Sequence, residues 1–361
     1  IYHFTISELI ELAFCLDDIA SFTEIVFMSI TYVGLCLKFG NFLVRKKEFT
    51  QLLTLLRSDV CRANDAAEMK IIAKYNERGM IFLKWSTLAY FALCQMTGAM
   101  ISILPIIGTK TVEHPLPLRV YLPYSIASVP VYLATYVQQA VTVVYAISIN
   151  VSLDSLVYGF NLVICGQMEL LSHRFNKIFE KANFEWNGKL AFQRHLMTRD
   201  CIKHHLLIHK IVEKVQSIFM WTVAVFFFFS LTTLCSSIFQ ISKYPILSLE
   251  FMTLVGYFTS ILFQIFCYCW YEFRFASESI KRVAEAVYFS NWTSATLRER
   301  RSLLIVMTVS QKGLILSYYG FIVVAVDTFT WVRNTLCRLA FCLIIHIVQC
   351  LLTITRHAAG R

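Results

Sequence analysis

The sequence predicts an all-α fold, a polytopic bundle of transmembrane helices, and three observations support this prediction. Hydrophobic residues make up 57% of the 361 residues, and the mean hydropathy is +0.60. Charged residues make up only 16%, whereas soluble domains are about 45–50% apolar and about 25% charged. Several apolar runs approach or exceed the roughly 20 residues that a helix needs to cross a bilayer. We therefore expect a multi-pass protein whose outer surface contacts membrane lipid.

Six strong apolar runs follow one another along the chain, and a weaker one precedes them. The weaker candidate, Ile25–Leu37, is short and is preceded by Asp17, Asp18 and Glu24. The strong runs are Trp85–Ile107, Val120–Leu153, Val215–Ser242, Phe251–Tyr271, Gly313–Val326 and Leu339–Thr355. An open strand would leave backbone N–H and C=O groups unpaired in lipid, at several kcal/mol each. Since the alternation typical of barrel strands is also absent, we predict that every run is a helix.

The distribution of basic residues predicts the orientation of the bundle. The loops 42–78, 172–214 and 272–312 together hold 24 Lys and Arg residues. The short loops near 108–121 and 242–250 hold only three. Because Lys and Arg favour the cytoplasmic side of a membrane, the three long loops are predicted to be cytoplasmic.

The long basic loops contain two segments that are predicted to be amphipathic helices. Glu68–Arg78 and His204–Lys214 contain no proline and no glycine. We expect the transmembrane helices to continue through these segments and to pack together below the membrane. The alternative interpretation is a set of solvated, charged loops.

The sequence carries no constellation that would support an enzyme. His205 and His209 share one helical face, but no HExxH motif or carboxylate partner completes a metal site, and Cys267 and Cys269 have the wrong spacing for CxxC. Phosphate-binding and dinucleotide-binding glycine motifs are absent. The net charge of +10 comes largely from the basic loops, so nucleic acid is not an expected partner. We predict no enzymatic activity, no metal and no cofactor.

Two carboxylates within or beside the apolar runs are functional candidates, because charge inside a membrane is costly. Asp154 lies at the predicted cytoplasmic end of its run, where we favour a structural role. Asp327 lies inside the last apolar region and should face protein or water. It could line a water-filled pore, or it could pair with Arg333 or Arg338 within the bundle.

Methionine and aromatic residues cluster in the outer halves of several runs. Adaptable Met and rigid aromatic side chains suit an apolar pocket for a small volatile ligand. Ordinary core packing or lipid contact is the alternative for each residue. The candidate ligand-binding residues are Phe27, Met28, Tyr32, Met96, Met100, Tyr132, Tyr136, Tyr257 and Phe258.

The C-terminal third closely resembles insect odorant receptors. The resemblance rests on Phe266-Cys-Tyr-Cys-Trp-Tyr-Glu272, on Ala284-Glu-Ala-Val-Tyr288 followed by Trp292, and on Val326-Asp-Thr-Phe-Thr-Trp331. Leu116-Pro-Leu-Arg-Val-Tyr-Leu-Pro-Tyr124 resembles the entry to the fourth helix of that family. The similarity is spread over many positions, from about residue 15 to about residue 335.

This resemblance implies a seven-helix receptor of the plasma membrane with a cytoplasmic N-terminus, expected in the dendrites of sensory neurons. It implies an odorant-gated cation channel in which a ligand-tuned subunit assembles with a common co-receptor as a hetero-tetramer. A small apolar odorant would bind among helices two, three, four and six, and the last helix would line the pore. The pore or gating candidates are then Asp327, Arg333, Arg338, Cys342 and Ile345.

The resemblance also divides the chain. Residues 1–15 correspond to the tail of a truncated helix one and a loop, so helix one is expected to be largely missing. The ligand-binding bundle spans 16–271, the cytoplasmic anchor 272–313 and the pore helix 314–350. Residues 351–361 form an atypical tail, since the sequence departs from the family pattern after Asn334-Thr335. Arg338 near a cation path would raise an electrostatic barrier.

Two other classes of receptor share parts of this pattern. A gustatory-type receptor channel would have the same architecture, but the stretch around Trp270 and the residue Trp292 favour the olfactory branch. A G-protein-coupled chemoreceptor would also have seven spans. Its first cytoplasmic loop is much shorter than 42–78, and the Asp-Arg-Tyr and Asn-Pro-x-x-Tyr motifs are absent.

Overall fold

The structure is a computed structural model that describes residues 1–15, 19–108, 115–180, 188–245, 248–273, 280–311, 317–318 and 322–323. Nine α-helices make up most of this described part, which confirms the all-α prediction. They are α1 Tyr2–Phe14, α2 Ile19–Val44, α3 Lys46–Leu56, α4 Ala66–Gly108, α5 Val129–Glu180, α6 Gly188–Ile241, α7 Leu249–Phe273, α8 Ile280–Phe289 and α9 Leu297–Gln311. Short 3₁₀ turns lie at Asp59–Cys61 and Trp292–Ser294.

Five of these helices, α2, α4, α5, α6 and α7, are long and apolar enough to cross a membrane. They correspond to the first five predicted runs, with one correction at the start of the third. The run Val120–Leu153 was predicted to be helical throughout, but α5 begins only at Val129. Pro117 and Pro123 explain the late start, because proline lacks the backbone N–H that a helix interior requires.

The helices α4, α5 and α6 continue far beyond the membrane on the basic side. α6 has 54 residues and is therefore about 80 Å long, against a hydrocarbon core of about 30 Å. The segments Glu68–Arg78 and His204–Lys214 lie within α4 and α6. The prediction that the helices continue through these two segments is confirmed, and the alternative of solvated loops is wrong for them.

A polar cluster around Arg174 ties these extensions together. The Arg174 guanidinium donates to both carboxylate oxygens of Glu68, at 3.0 and 2.9 Å, and to the Nδ1 atom of His204 at 3.1 Å. Since arginine is only a donor, that nitrogen of His204 must be the acceptor. Beside this cluster the Lys177 ammonium donates to Asp65 and, as the main cause, lowers the pKa of that carboxyl to about 2. The start of α4 is thereby fixed to α5 and α6.

The main hydrophobic core runs along α5, α6 and α7 and continues to α8 and α9 on the cytoplasmic side. Phe175, Ile211, Ile218 and Leu303 are fully buried within it. A smaller cluster lies near the outer face, where Phe4, Tyr32, Leu35, Leu118, Val143 and Ala146 bring α1, α2 and α5 together. The space between these two cores holds the candidate site.

The only strands in the described part are two residues each, β1 Ser317–Tyr318 and β2 Ile322–Val323. They pair antiparallel, with Ser317 opposite Val323. These four residues fall inside Gly313–Val326, so the prediction of a helix is wrong at these positions. The predicted span Leu339–Thr355 lies outside the described residues, as do Asp327, Arg333, Arg338, Cys342 and Ile345.

Candidate ligand-binding site

A cavity of about 140 Å³ lies in the outer half of the bundle, among α2, α4, α5 and α7. Its lining is Met28, Thr31, Tyr32, Leu35, Tyr90, Cys94, Thr97, Gly98, Ile101, Leu118, Val143, Ala146, Ile147, Asn150, Tyr257, Ser260, Ile261 and Gln264. Most of this surface is apolar. An apolar cavity of about 150 Å³ in another protein holds a molecule of benzene, so this one suits a ligand with a single ring or a short chain.

A glycine lets two of the helices approach closely at the cavity wall. A Cβ atom built on Gly98 of α4 would lie 2.6 Å from Cδ1 of Ile147 and 3.1 Å from Cγ1 of Val143, both on α5. Distances this short mean that no larger residue fits without movement of its neighbours. The width of the cavity between α4 and α5 therefore depends on the absence of a side chain at position 98.

Three of the hydroxyl groups in the lining are already satisfied by the protein. Thr97 donates to the carbonyl oxygen of Leu93 at 2.9 Å, and Ser260 donates to that of Gly256 at 2.8 Å. Thr31 shares a hydrogen bond with the Tyr257 hydroxyl. These bonds use the protons of Thr97 and Ser260, and the Thr31–Tyr257 pair keeps one proton. The rest of the wall is mainly apolar surface.

One end of the cavity differs, because its lining residues Asn150 and Gln264 contact the buried pair Lys38 and Asp154. We call these four residues the polar floor. The Lys38 ammonium lies 2.7 Å from Asp154 Oδ1, with side chains only 4% and 0% exposed. Lys38 also donates to Asn150 at 3.0 Å. Gln264 donates to Asp154 at 2.5 Å, and Tyr268 donates to it at 2.7 Å. The polar floor thus joins α2, α5 and α7.

Lys38 was missed by the sequence analysis, although Asp154 was noted as a candidate structural charge. The predicted run stopped at Leu37 because the next residue is charged, whereas α2 continues to Val44. The sequence did contain a signal for this pair, because a lysine and an aspartate lie near the inner ends of two predicted spans. Their pairing depends on how α2 packs against α5, which the sequence does not specify.

The predicted ligand-binding residues occupy several different environments. Met28, Tyr32 and Tyr257 line the cavity. Phe27 packs against Tyr257, with ring centroids 4.6 Å apart, and Phe258 packs against the main core.

The remaining candidates lie away from the cavity lining. Met96 is 71% exposed, on the side of α4 that faces away from the bundle, and Met100 is half-buried. Tyr132 donates to the carbonyl oxygen of Pro115 at 2.9 Å, and Tyr136 donates to that of Ser102. These two tyrosines hold the outer loop and the ends of α4 and α5 together.

A second, wider space, which we call the vestibule, lies on the outward side of the cavity. It measures about 660 Å³ and shares Met28, Ile101 and Leu118 with the cavity. Its wall is formed by 21 residues, which include the three shared with the cavity. The carboxyl groups of Glu8, Glu11 and Glu250 also lie in this wall. The shared residues form the boundary between the two spaces, so a ligand entering from outside would pass them.

Comparison with known proteins places this arrangement in a family. The model of the family described as 7tm Odorant receptor matches residues 18–336. Odorant receptor 82a of Drosophila melanogaster is 22% identical over 343 residues, which cover 91% of this chain and 84% of the relative. The odorant receptor coreceptor of Aedes aegypti is 29% identical over 147 residues, 40% of this chain and 30% of the relative.

The fold is also similar to solved structures. The insect olfactory receptor OR5 from Machilis hrabei superimposes with a TM-score of 0.77 at 16% identity, covering 95% of this chain and 85% of that one. The same receptor in complex with eugenol gives the same score. At this level of identity the likeness concerns the fold.

Proposed function

The chain belongs to the odorant receptor family, and we propose that it is the ligand-tuned subunit of an odorant-gated, non-selective cation channel. The observation that carries this proposal is the apolar cavity among α2, α4, α5 and α7. In chain order its walls α2, α4, α5 and α7 correspond to helices two, three, four and six of the family. Met28, Tyr32 and Tyr257 are the proposed contacts for a small apolar odorant.

The proposed assembly is a hetero-tetramer with the common co-receptor in the plasma membrane of sensory neurons, surrounded by lipid and sited in the dendrite. The long extensions of α4, α5 and α6, joined around Arg174, support this proposal because they provide a rigid cytoplasmic surface for neighbouring subunits. In this arrangement Asp327, Arg333, Arg338, Cys342 and Ile345 belong to the pore region. Similarity to a co-receptor of another insect over 40% of the chain is in keeping with a shared mode of assembly.

The proposal is tested by recording from cells that express the chain together with the co-receptor. A broad panel of volatile compounds should evoke cation currents that depend on both subunits and persist when G-protein signalling is blocked. Cells with the co-receptor alone are the control. Currents that require G-proteins would contradict a channel and favour the coupled chemoreceptor instead.

The same recordings test the position of the binding site. Tyr257→Ala opens the cavity wall and should shift odorant potency by roughly tenfold, since the aromatic contact and its hydrogen bond with Thr31 are both lost. Tyr132→Ala is the matched control, because that tyrosine bonds Pro115 outside the cavity lining. Equal shifts for the two variants, at normal surface expression, would argue against this cavity as the odorant site.

A further inference from the structure

The polar floor holds hydrogen-bonding groups that the protein itself does not use. Asn150 has two amide N–H groups, one of which donates to the Tyr90 hydroxyl at 3.1 Å. Its second N–H has no partner in the described part of the chain. Asn150 lines the cavity. One donor is therefore available to a ligand.

Gln264 provides the complementary group. Its side chain is only 6% exposed, and its amide nitrogen donates to Asp154. The Oε1 atom accepts no hydrogen bond from any residue that the structure describes. Since Gln264 lines the cavity, this oxygen is an acceptor without a protein donor. A buried amide oxygen left in this state costs free energy until a ligand or a water molecule supplies a donor.

The orientation of both amides is fixed by their charged neighbours. The Lys38 ammonium can only donate, so the oxygen of Asn150 must face it and the nitrogen must face Tyr90. The Asp154 carboxylate can only accept, so the nitrogen of Gln264 must face it. The buried ion pair thus determines which hydrogen-bonding groups remain for a ligand.

The two amides that carry these groups belong to one polar cluster, and both line the cavity. Asn150 and Gln264 are joined through the Lys38–Asp154 pair by contacts of 3.0, 2.7 and 2.5 Å. Both residues also line a small side branch of about 60 Å³ that reaches Lys38. The rest of the cavity is apolar and is roughly the size of one ring.

From this geometry we infer that the cavity is selective for a small alcohol or phenol, whose hydroxyl group accepts from Asn150 and donates to Gln264. A ketone, ether or ester of equal size could accept from Asn150 but could not donate to Gln264. A hydrocarbon would satisfy neither amide. The inference rests on the proposed function only in placing the odorant in this cavity.

Binding to the purified chain in lipid nanodiscs tests the inference without any channel activity. Benzyl alcohol, methyl phenyl ether and ethylbenzene have closely similar sizes and differ in hydrogen-bonding capacity. After correction for measured partition into the lipid, benzyl alcohol should bind about tenfold more tightly than the ether, as expected for one hydrogen bond. Equal affinity for the alcohol and the ether would overturn the inference.

Two variants separate the roles of the amides, and comparing one ligand between variants cancels its partition into lipid. Gln264→Met should weaken benzyl alcohol about tenfold and leave the ether and ethylbenzene within about twofold. Asn150→Leu should weaken both the alcohol and the ether and leave ethylbenzene unchanged. Thr259→Val is the matched control, because it lies on α7 like Gln264 but outside the cavity lining, and its hydroxyl donates to the carbonyl oxygen of Val255. It should change none of the three affinities.

The results distinguish the inference from the proposed function. Hydroxyl recognition is contradicted if Gln264→Met binds benzyl alcohol with unchanged affinity, or if it loses as much affinity for ethylbenzene as for benzyl alcohol. Either result counts even if odorants evoke currents. If either variant fails to fold, the ligand series on the unaltered chain still decides the question. Hydroxyl-selective binding without any currents in co-expressing cells would instead contradict the channel proposal alone.

Discussion

Removing one charge from the buried Lys38–Asp154 pair should destabilise the bundle strongly. Lys38→Met keeps the length of the side chain and removes its charge, which leaves Asp154, 0% exposed, without a counter-ion. At 2.7 Å and an effective dielectric constant of about 20, the attraction between two unit charges is about 6 kcal/mol. Desolvation of each ion costs several kcal/mol, so the intact pair contributes little net stability. Loss of one partner leaves the desolvation of the other charge uncompensated, so we expect the free energy of unfolding to fall by about 3–5 kcal/mol.

A double-mutant cycle measures how much of this cost belongs to the pair. Asp154→Asn removes the second charge, and its one amide oxygen can still accept from Tyr268. Gln264, which donates to the other oxygen of Asp154, can turn its amide so that its own oxygen accepts from the new amide nitrogen. The double variant should therefore recover most of the stability lost by Lys38→Met alone, within about 1–2 kcal/mol of the unaltered chain. The recovery would show that the unpaired charge, and not a change in packing, causes the loss.

Thermal unfolding of the purified chain in nanodiscs, followed by tryptophan fluorescence, is the appropriate measurement. The single variant should lower Tm by roughly 5–10 °C, and the double variant should restore most of that difference. Surface expression of both variants gives an independent readout. This reasoning would be refuted if the Tm of Lys38→Met lay within about 2 °C of the unaltered chain. It would also be refuted if the loss of stability in the double variant equalled the sum of the losses in the two single variants.

Two further predictions concern the cavity wall and the cytoplasmic extensions. Gly98→Leu should abolish odorant-evoked currents by filling the cavity. Gly159→Leu is the control and should leave potency unchanged, because the nearest neighbour of a Cβ at position 159 lies 3.9 Å away. Equal effects of the two variants on dose–response curves would exclude the cavity explanation. Arg174→Lys should destabilise the chain by about 1–3 kcal/mol, because lysine cannot form the two-fold contact with Glu68 and also reach its backbone partners. Surface expression and Tm measure this loss, and an unchanged Tm would mean that the cluster around Arg174 contributes nothing.

Sequence reasoning located the membrane-crossing segments well and their ends less well. The uncharged run Phe251–Tyr271 lies within α7, Leu249–Phe273, because lipid imposes one conformation on an apolar segment. The run beginning at Val120 was predicted to start too early. The residues around Pro123 are apolar enough to be counted in a span, but the proline prevents them from forming part of the helix. The run ending at Leu37 was too short, because a buried partner can neutralise a lysine inside a span.

The candidate site was less accessible to sequence reasoning than the spans. Met and aromatic clusters pointed to the outer half of the bundle, where Met28, Tyr32 and Tyr257 do line the cavity. The pattern could not separate these from Met96, which faces away from the bundle. The rotation of each helix about its axis decides between cavity and lipid, and a run that is hydrophobic on all sides carries little information about that rotation.

The sequence by itself determined that this chain crosses a membrane as helices and, through its C-terminal motifs, the family to which it belongs, and it predicts which side its basic loops face. These properties follow from composition, charge asymmetry and local motifs, which need no knowledge of contacts between distant residues. Only the tertiary structure decided that Lys38 pairs with Asp154, that Asn150 and Gln264 close the cavity with unused hydrogen-bonding groups, and that Gly98 sets its width. Each of these features is made where α2, α4, α5 and α7 meet, between residues that lie as many as 116 positions apart, and therefore depends on how the helices pack.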